Sequence, residues 1–224
     1  MLEVLAISQL AHWWRAGSGY DASGWVDVKG GKKFTPAATM PALQTIAAYN
    51  NKPALKFTDL NNGLQCPGIF VAGQAMGWLV VGRAGDGDNA ALLGTNASST
   101  ADQLRQQYGS NGLSYNQLGS QSTTMTLTAN NYGQGPLMLL GTNNPAIPQT
   151  RNIVRRSTGL VSDTSPTTQT VGIAGTELRM GWGSLAIDGG DVAEVMIFNT
   201  YIGDLADVIG KITNFVVNEY GWSA

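Results

Sequence analysis

The sequence predicts an all-β fold, two sheets packed as a sandwich and closed by one C-terminal amphipathic helix. Three observations carry this reading. Twenty-nine glycines and eight prolines in 224 residues break the chain too often for long helices. Between those breaks recur short runs of strand length, either apolar throughout or alternating apolar and polar. Only over residues 204–220 does the apolar spacing lengthen to three and four, the period of a helix.

Residues 16–31 are Gly, Ser and Asp punctuated by Tyr20, Trp25 and Val28, a loop followed by a short strand. Two prolines in 35–41 predict irregular backbone, because each ring fixes φ and restricts the preceding residue. Residues 52–57 alternate and form a half-buried strand. Residues 76–83 (MGWLVVGR) are apolar and β-branched, as suits a strand covered on both faces. A tight acidic turn at 85–89 leads to a strand at 92–95. Residues 96–122 are polar and rich in tyrosine, which predicts strands with exposed loops, and 125–128 alternate again. An apolar run follows at 137–140. Over 141–170, three prolines and many Thr and Asn predict one or two strands with long loops. Leu178 opens another strand, and 191–198 (DVAEVMIF) one with apolar residues on both faces. In the helix, Leu205, Val208, Ile209, Ile212, Val216 and Tyr220 share one side, Asp204 and Asp207 meet the positive dipole end, and Gly221 supplies a left-handed cap. No linker separates two composition zones, so 1–224 reads as one domain, with a loop-rich elaboration at 96–170.

The hydrophobic fraction, 43%, supports a substantial core. Charged residues make up 12%, against roughly 25% in an average domain, so the surface is built from Ser, Thr, Asn, Gln and Gly. A net charge of −2 provides no basic stripe, which argues against nucleic acid and against anionic membranes. Cys66 is the sole cysteine and His12 the sole histidine. An intrachain disulfide and a zinc site of four Cys or His ligands are therefore excluded. Residues 1–15 carry Glu3 where a secretory signal needs positive charge, and no apolar stretch spans a bilayer. These features predict a soluble chain made inside the cell, although its composition is that of exterior β proteins.

The passage 190–199 (GDVAEVMIFN), with the helix after it ending in Tyr220-Gly221-Trp222, resembles the closing segment of concanavalin A-like, laminin-G-like jelly-roll domains, whose last strand commonly reads G-x-I-A-E-V-I-V-Y-N. Phe198 stands where the tyrosine is usual, and Glu219 where a lysine precedes Tyr-Gly. Trp14-Arg15-Ala16, Trp25-Val26-Asp27 and residues 39–57, closing on KPALKF, are similar to the family's N-terminal motifs. The resemblance covers roughly 10–83 and 178–222 and implies the jelly-roll sandwich. It says little about a ligand.

Glycosidases on this sandwich carry clustered carboxylates on one strand, spaced E-x-D-x-E. The four glutamates here, Glu3, Glu177, Glu194 and Glu219, begin no such cluster. Asp191 and Glu194 are three apart, which on a regular strand aims them at opposite faces. Glu194 matches the family's recurring glutamate, whose expected role is structural. His12 lies beside Trp13 and Trp14 without a nucleophile in view. Cys66 reads as a small buried hydrophobe, and 82–87 (GRAGDG) lacks the lysine of a P-loop. The chain is expected not to be an enzyme.

Asp86, Asp88 and Asn89 present hard oxygen atoms that suit calcium, as do Asp188 and Asp191, although Asp and Gly also build ordinary turns. Trp13, Trp14, Trp25 and Trp78 read as core. Tyr108, Tyr115 and Tyr132 lie in polar surroundings and are candidate glycan or partner contacts. Arg151, Arg155 and Arg156 read as solvated surface or as a group that engages an acidic neighbour. The expectation is a virion protein of a tailed bacteriophage, a head-decoration, tail or baseplate component. Its partners would be other virion proteins, further copies of itself and host-surface glycans. The alternative is a carbohydrate-binding, lectin-like module of a cellular microbe, exported and extracellular.

Overall fold

A computed structural model describes residues 1–37, 39–58, 62–83, 89–96, 103–107, 113–118, 121–126, 135–165, 169–181, 187 and 189–223, with the backbone alone at 89–91 and 103–126. An eight-residue apolar run is stable as a strand only where both of its faces are covered, and the fold meets this need with three layers.

Sheet 1 places β15 (Gly159–Thr164), β14 (Gln149–Arg156), β13 (Leu137–Asn144), β8 (Met76–Arg83), β17 (Asp191–Phe198), β6 (Lys52–Lys56) and β5 (Ala42–Ile46) side by side, and β1 (Leu10–Arg15) pairs with β17. Sheet 2 runs β12 (Gln121–Thr126), β11 (Leu113–Leu118), β10 (Gln103–Gln107), β9 (Asn89–Thr95), β16 (Leu178–Met180), β7 (Leu64–Cys66), β4 (Lys33–Pro36), β3 (Gly24–Val26) and β2 (Tyr20–Asp21). Every described ladder is antiparallel. The fold is thus a two-sheet β-sandwich, as the residues predict.

Side-chain alternation along sheet 1 feeds two cores. Trp14, Trp78, Val80, Leu139, Val154 and Val195 point between the sheets, where Trp25, Phe34, Leu64, Leu93, Leu178 and Met180 meet them. Their sequence neighbours Trp13, Leu79, Val81, Met138, Leu140, Ile153 and Met196 point to the opposite side. There they pack under α2 (Ala206–Tyr220) and the single turn α1 (Leu2–Leu5), whose Val4 is buried. The tryptophans at 13, 14, 25 and 78 are core residues, as expected.

α2 buries Val208, Ile212, Phe215, Val216 and Tyr220 and ends at Gly221 with φ 65°. The Trp222 N–H donates to the Val217 carbonyl at 2.9 Å across that left-handed cap. No helix among the described residues is long and apolar enough to cross a membrane.

Three local expectations are corrected. Residues 2–5 form a helical turn, too short for any period to announce. β4 runs into the 35–41 segment, with Thr35 and Pro36 paired to Gln65 and Leu64; a proline is tolerated where a strand ends and no further donor is needed. The stretch 141–164 is not loop-rich: β13 extends to Asn144, and β14 and β15 are joined by the short turn at 157–158.

Candidate functional site

Of the residues singled out by sequence, Tyr108, Tyr132, Asp86, Asp88 and Asp188 lie outside the described residues. Asn89 opens β9 and Tyr115 lies within β11, where the backbone alone is described. Among the described residues no group of three or more His, Cys, Asp or Glu gathers to hold a metal. The second turn proposed for calcium does not present Asp191 to a cation from solvent. Its side chain is fully buried, Oδ1 accepts the Tyr49 hydroxyl at 2.5 Å, and Oδ2 faces Arg83 Nη2 at 2.5 Å and Lys56 Nζ at 3.7 Å.

Of the two roles the sequence offers these arginines, Arg151 takes the second and engages an acidic neighbour, while Arg155 and Arg156 are not solvated. Arg151 remains partly exposed and holds Asp163 with both Nε (2.9 Å) and Nη2 (2.7 Å). Arg155 and Arg156 are buried. They are adjacent on a regular strand and so point to opposite faces: Arg155 Nη2 reaches the Ser223 carbonyl at 3.1 Å on the helix side, and Arg156 turns toward sheet 2. Burial and alternation together separate them into different environments.

Glu194 lies at the centre of a buried network. Trp13 Nε1–H donates to Oε2 at 2.7 Å, and Arg15 Nε–H (3.1 Å) and the Tyr220 hydroxyl (2.7 Å) donate to Oε1. Arg15 Nη2 also meets Glu219 at 2.8 Å, and Lys52 meets the same carboxylate at 3.3 Å. Burial pushes the Glu194 carboxyl up to about 7, against the opposing pull of Arg15, Tyr220 and Trp13. Tyr220 is raised well above its ordinary value, first by burial and then by Glu194. The network joins β1, β17 and α2, so the structural role expected for Glu194 is the one it has.

Asp191 and Glu194 nevertheless share a face, contrary to the three-residue spacing. The β17 register against β8 passes from Val192–Gly82 to Glu194–Val81, a bulge at Ala193. One extra residue restores both acids to the helix side. Gly82 permits the close approach, since a Cβ there would lie 2.9 Å from the Asp191 carbonyl oxygen. A link of aromatic rings then connects the acids, with Tyr49 and Tyr220 edge to face at 5.6 Å. Both carboxylates are 1% exposed or less, so neither can flank a glycosidic bond as it stands. A cleft of about 220 Å³ lies beside the network, and Glu194 and Tyr220 contribute to its lining together with Arg15, Ser18, Lys52 and Glu219.

His12 Nδ1 lies 2.7 Å from Asp27 Oδ2, and Asp27 also accepts the backbone N–H groups of Trp13, Lys29 and Gly30 at 2.6–2.9 Å. Burial opposes its charge, yet His12 and these three donors hold its carboxyl below the ordinary value. The pair fastens β1 to the 27–30 turn. Cys66 is buried between the sheets, which pushes its thiol up to about 12; it is unreactive there.

The other outer face of the sandwich belongs to sheet 2. Phe34, Cys66, Leu178 and Met180 point inward, which leaves Thr35 exposed and Gln65 and Arg179 half-buried on the outside. Arg179 Nε pairs with Glu177 two residues earlier. The ladder sets Thr35, Gln65, Arg179 and Gly94 in one cross-strand row. Its register continues through Gln103, Gln117 and Ser122, and a neighbouring row holds Arg105, Tyr115 and Thr124. Among the residues of these rows whose side chains are described, Thr35, Gln65 and Arg179 bring a hydroxyl, an amide and a guanidinium to the face opposite the apolar core. Sequence reasoning named Tyr115 and missed the row, whose members are scattered from 35 to 179 and meet only through register.

The chain matches no protein-family model, and no curated protein matches it by sequence. Solved structures do resemble it. An α-L-arabinofuranosidase soaked with a cyclic sulfate inhibitor aligns at TM-score 0.63 and 12% identity, over 88% of this chain and 51% of that one. The binding domain of botulinum neurotoxin DC in complex with SialylT aligns at 0.62 and 7%, over 95% and 52%. A Trypanosoma rangeli sialidase aligns at 0.60 and 13%, over 95% and 34%. This is a jelly-roll-type β-sandwich. The chain spans between a third and about half of the length of these proteins, and at such identities the likeness is one of fold.

Proposed function

We propose that the chain is a non-enzymatic, carbohydrate-binding sandwich module that offers the outer face of sheet 2 to host-surface glycans. The observation that carries this is the contrast between the faces. The outer face of sheet 1 is covered by α2 with its acids engaged, whereas the outer face of sheet 2 carries an exposed Thr35 and half-buried Gln65 and Arg179. Gln, Thr and Arg side chains suit sugar hydroxyls, and a tyrosine such as Tyr115, whose backbone lies in the neighbouring register row, suits a ring face. Among the similar folds, one is a binding domain in complex with SialylT and two bear the names of carbohydrate-acting enzymes.

In its finer form the proposal places this module, as one domain, on the surface of a bacteriophage virion, in a head-decoration, tail or baseplate component present in many copies. The support is compositional: a charge-poor surface rich in Thr, Asn, Gln and Gly, and no disulfide. Such a particle reaches the exterior by host lysis and needs neither export nor oxidation. The calcium reading of Asp86, Asp88 and Asn89 belongs to this finer form.

A glycan array probed with the purified chain, in calcium and again in EDTA, tests the reading. Reproducible binding supports the module, and its loss in EDTA assigns the acidic turn to calcium. Silence in both conditions overturns the glycan reading.

A further inference from the structure

The two ends of the seven-strand run of sheet 1 are finished differently. At one edge, β15 breaks register with β14 between Val154 and Arg155, and its Asp163 is held by Arg151. A bulge and a fixed charge are the usual guards of an exposed edge. At the other edge, β5 has neither. Its five residues pair with β6 in unbroken register, Ala42 with Lys56 through Ile46 with Lys52. Ala42, Leu43, Gln44 and Thr45 are exposed and Ile46 is half-buried. No charged residue occurs from Phe34 to Asn51. Only Ile46 of the strand packs against the helix-side core, and Leu43 leaves 45% of its surface in solvent.

We propose that β5 pairs antiparallel with β5 of a second copy of this chain, centred on Gln44, so that sheet 1 runs continuously across a two-fold axis. The proposal rests on the multi-copy part of the reading above and is independent of glycan binding. The strand is self-complementary in that register. Gln44 faces Gln44, Leu43 faces Thr45 and Ala42 faces Ile46, so apolar residues meet small or apolar ones and no like charges oppose each other. A five-residue ladder falls short of the roughly 1,000 Å² that a stable dimer buries. Association is therefore concentration-dependent in solution and is reinforced where many copies are held on one scaffold.

Sedimentation velocity from micromolar to millimolar chain tests this, with a monomer–dimer equilibrium as the expected result. Gln44→Lys sets two ammonium groups opposite each other at the axis and weakens dimerisation about fivefold, while the exposed position leaves the fold intact by circular dichroism. Gln44→Cys places two thiols across an antiparallel pair, about 4.5–5.5 Å apart at Cα and within disulfide reach. Mild oxidation then yields a covalent dimer faster than it does for Leu160→Cys on β15, and the buried Cys66 does not compete. A dimer indifferent to Gln44→Lys, or equal cross-linking at both edges, overturns the β5 register and leaves multi-copy assembly standing. A chain that stays monomeric at every concentration overturns both.

Discussion

Sheet 1 turns its outer face to α2 and fills the space with Trp13, Phe215, Tyr220 and a buried carboxyl, whereas sheet 2 turns Thr35, Gln65 and Arg179 to water. The two faces use polar groups for opposite ends. Under the helix, each donor around Glu194 is spent on fixing one element to another, and removal of a partner leaves the buried carboxyl without that donor. On the outer face of sheet 2 the same kinds of groups are paired side by side along the sheet, and water can replace what a substitution removes. The comparison teaches that the perturbed carboxyl of Glu194 marks a fastening between elements.

The largest effect that can break this comparison is at the fastening. Glu194→Ala leaves Arg15, the Trp13 indole and the Tyr220 hydroxyl unpaired and is expected to cost about 3–5 kcal/mol in urea unfolding. A loss below about 1 kcal/mol would mean that the network is solvated and the two faces are alike. Next comes Phe215→Ala. Its ring is edge to face with Trp13 at 5.1 Å under the helix, and the cavity left behind is expected to cost about 3 kcal/mol.

The titration of Glu194 sharpens the contrast further. Its folded pKa, about 7, lies above the ordinary 4.5. The neutral carboxyl is therefore favoured in the folded chain. The stability that Glu194 contributes is fully present below about pH 4.5 and is lost as pH rises through about 7. Asp27 acts in the opposite sense: its depressed pKa contributes stability above its ordinary value that is lost on acidification. Thermal unfolding of wild type and Glu194→Gln between pH 5 and pH 8 isolates the first effect. The wild type should lose stability across that interval and the glutamine variant should stay flat. Equal slopes would contradict the assignment.

Much of this architecture is legible in the sequence because burial on both faces leaves a plain mark. β8 and β17 are read to their end residues from continuous apolar runs, and α2 from its lengthened period and Gly221. The glutamate of the closing motif is equally legible as a structural residue. The bulge at Ala193 is not, since Val192, Ala193 and Glu194 would alternate in a regular strand equally well, and nothing local says that one residue is extra. Arg155 and Arg156 mislead for a related reason: arginine is usually solvated, and only the packing of β14 between two layers buries it. The polar row on sheet 2 is a property of register across β4, β7 and β16, two of them only three residues long, so no window of sequence contains it.

The smallest stability effects belong to the outer face of sheet 2. Thr35→Ala and Gln65→Ala should each stay within about 0.5 kcal/mol of wild type, because the sites face solvent. A larger loss at either would show that the row is structural as well.

The most direct test of the account is calorimetric titration of the strongest glycan from the array into wild type, a Gln65→Ala/Arg179→Ala double variant and Glu194→Gln. The predicted result is about a tenfold loss of affinity for the double variant at unchanged melting temperature, with Glu194→Gln altered in melting temperature and unaltered in affinity. The reverse pattern, affinity lost at Glu194 and kept without Gln65 and Arg179, would place the binding surface on the helix side and contradict the account.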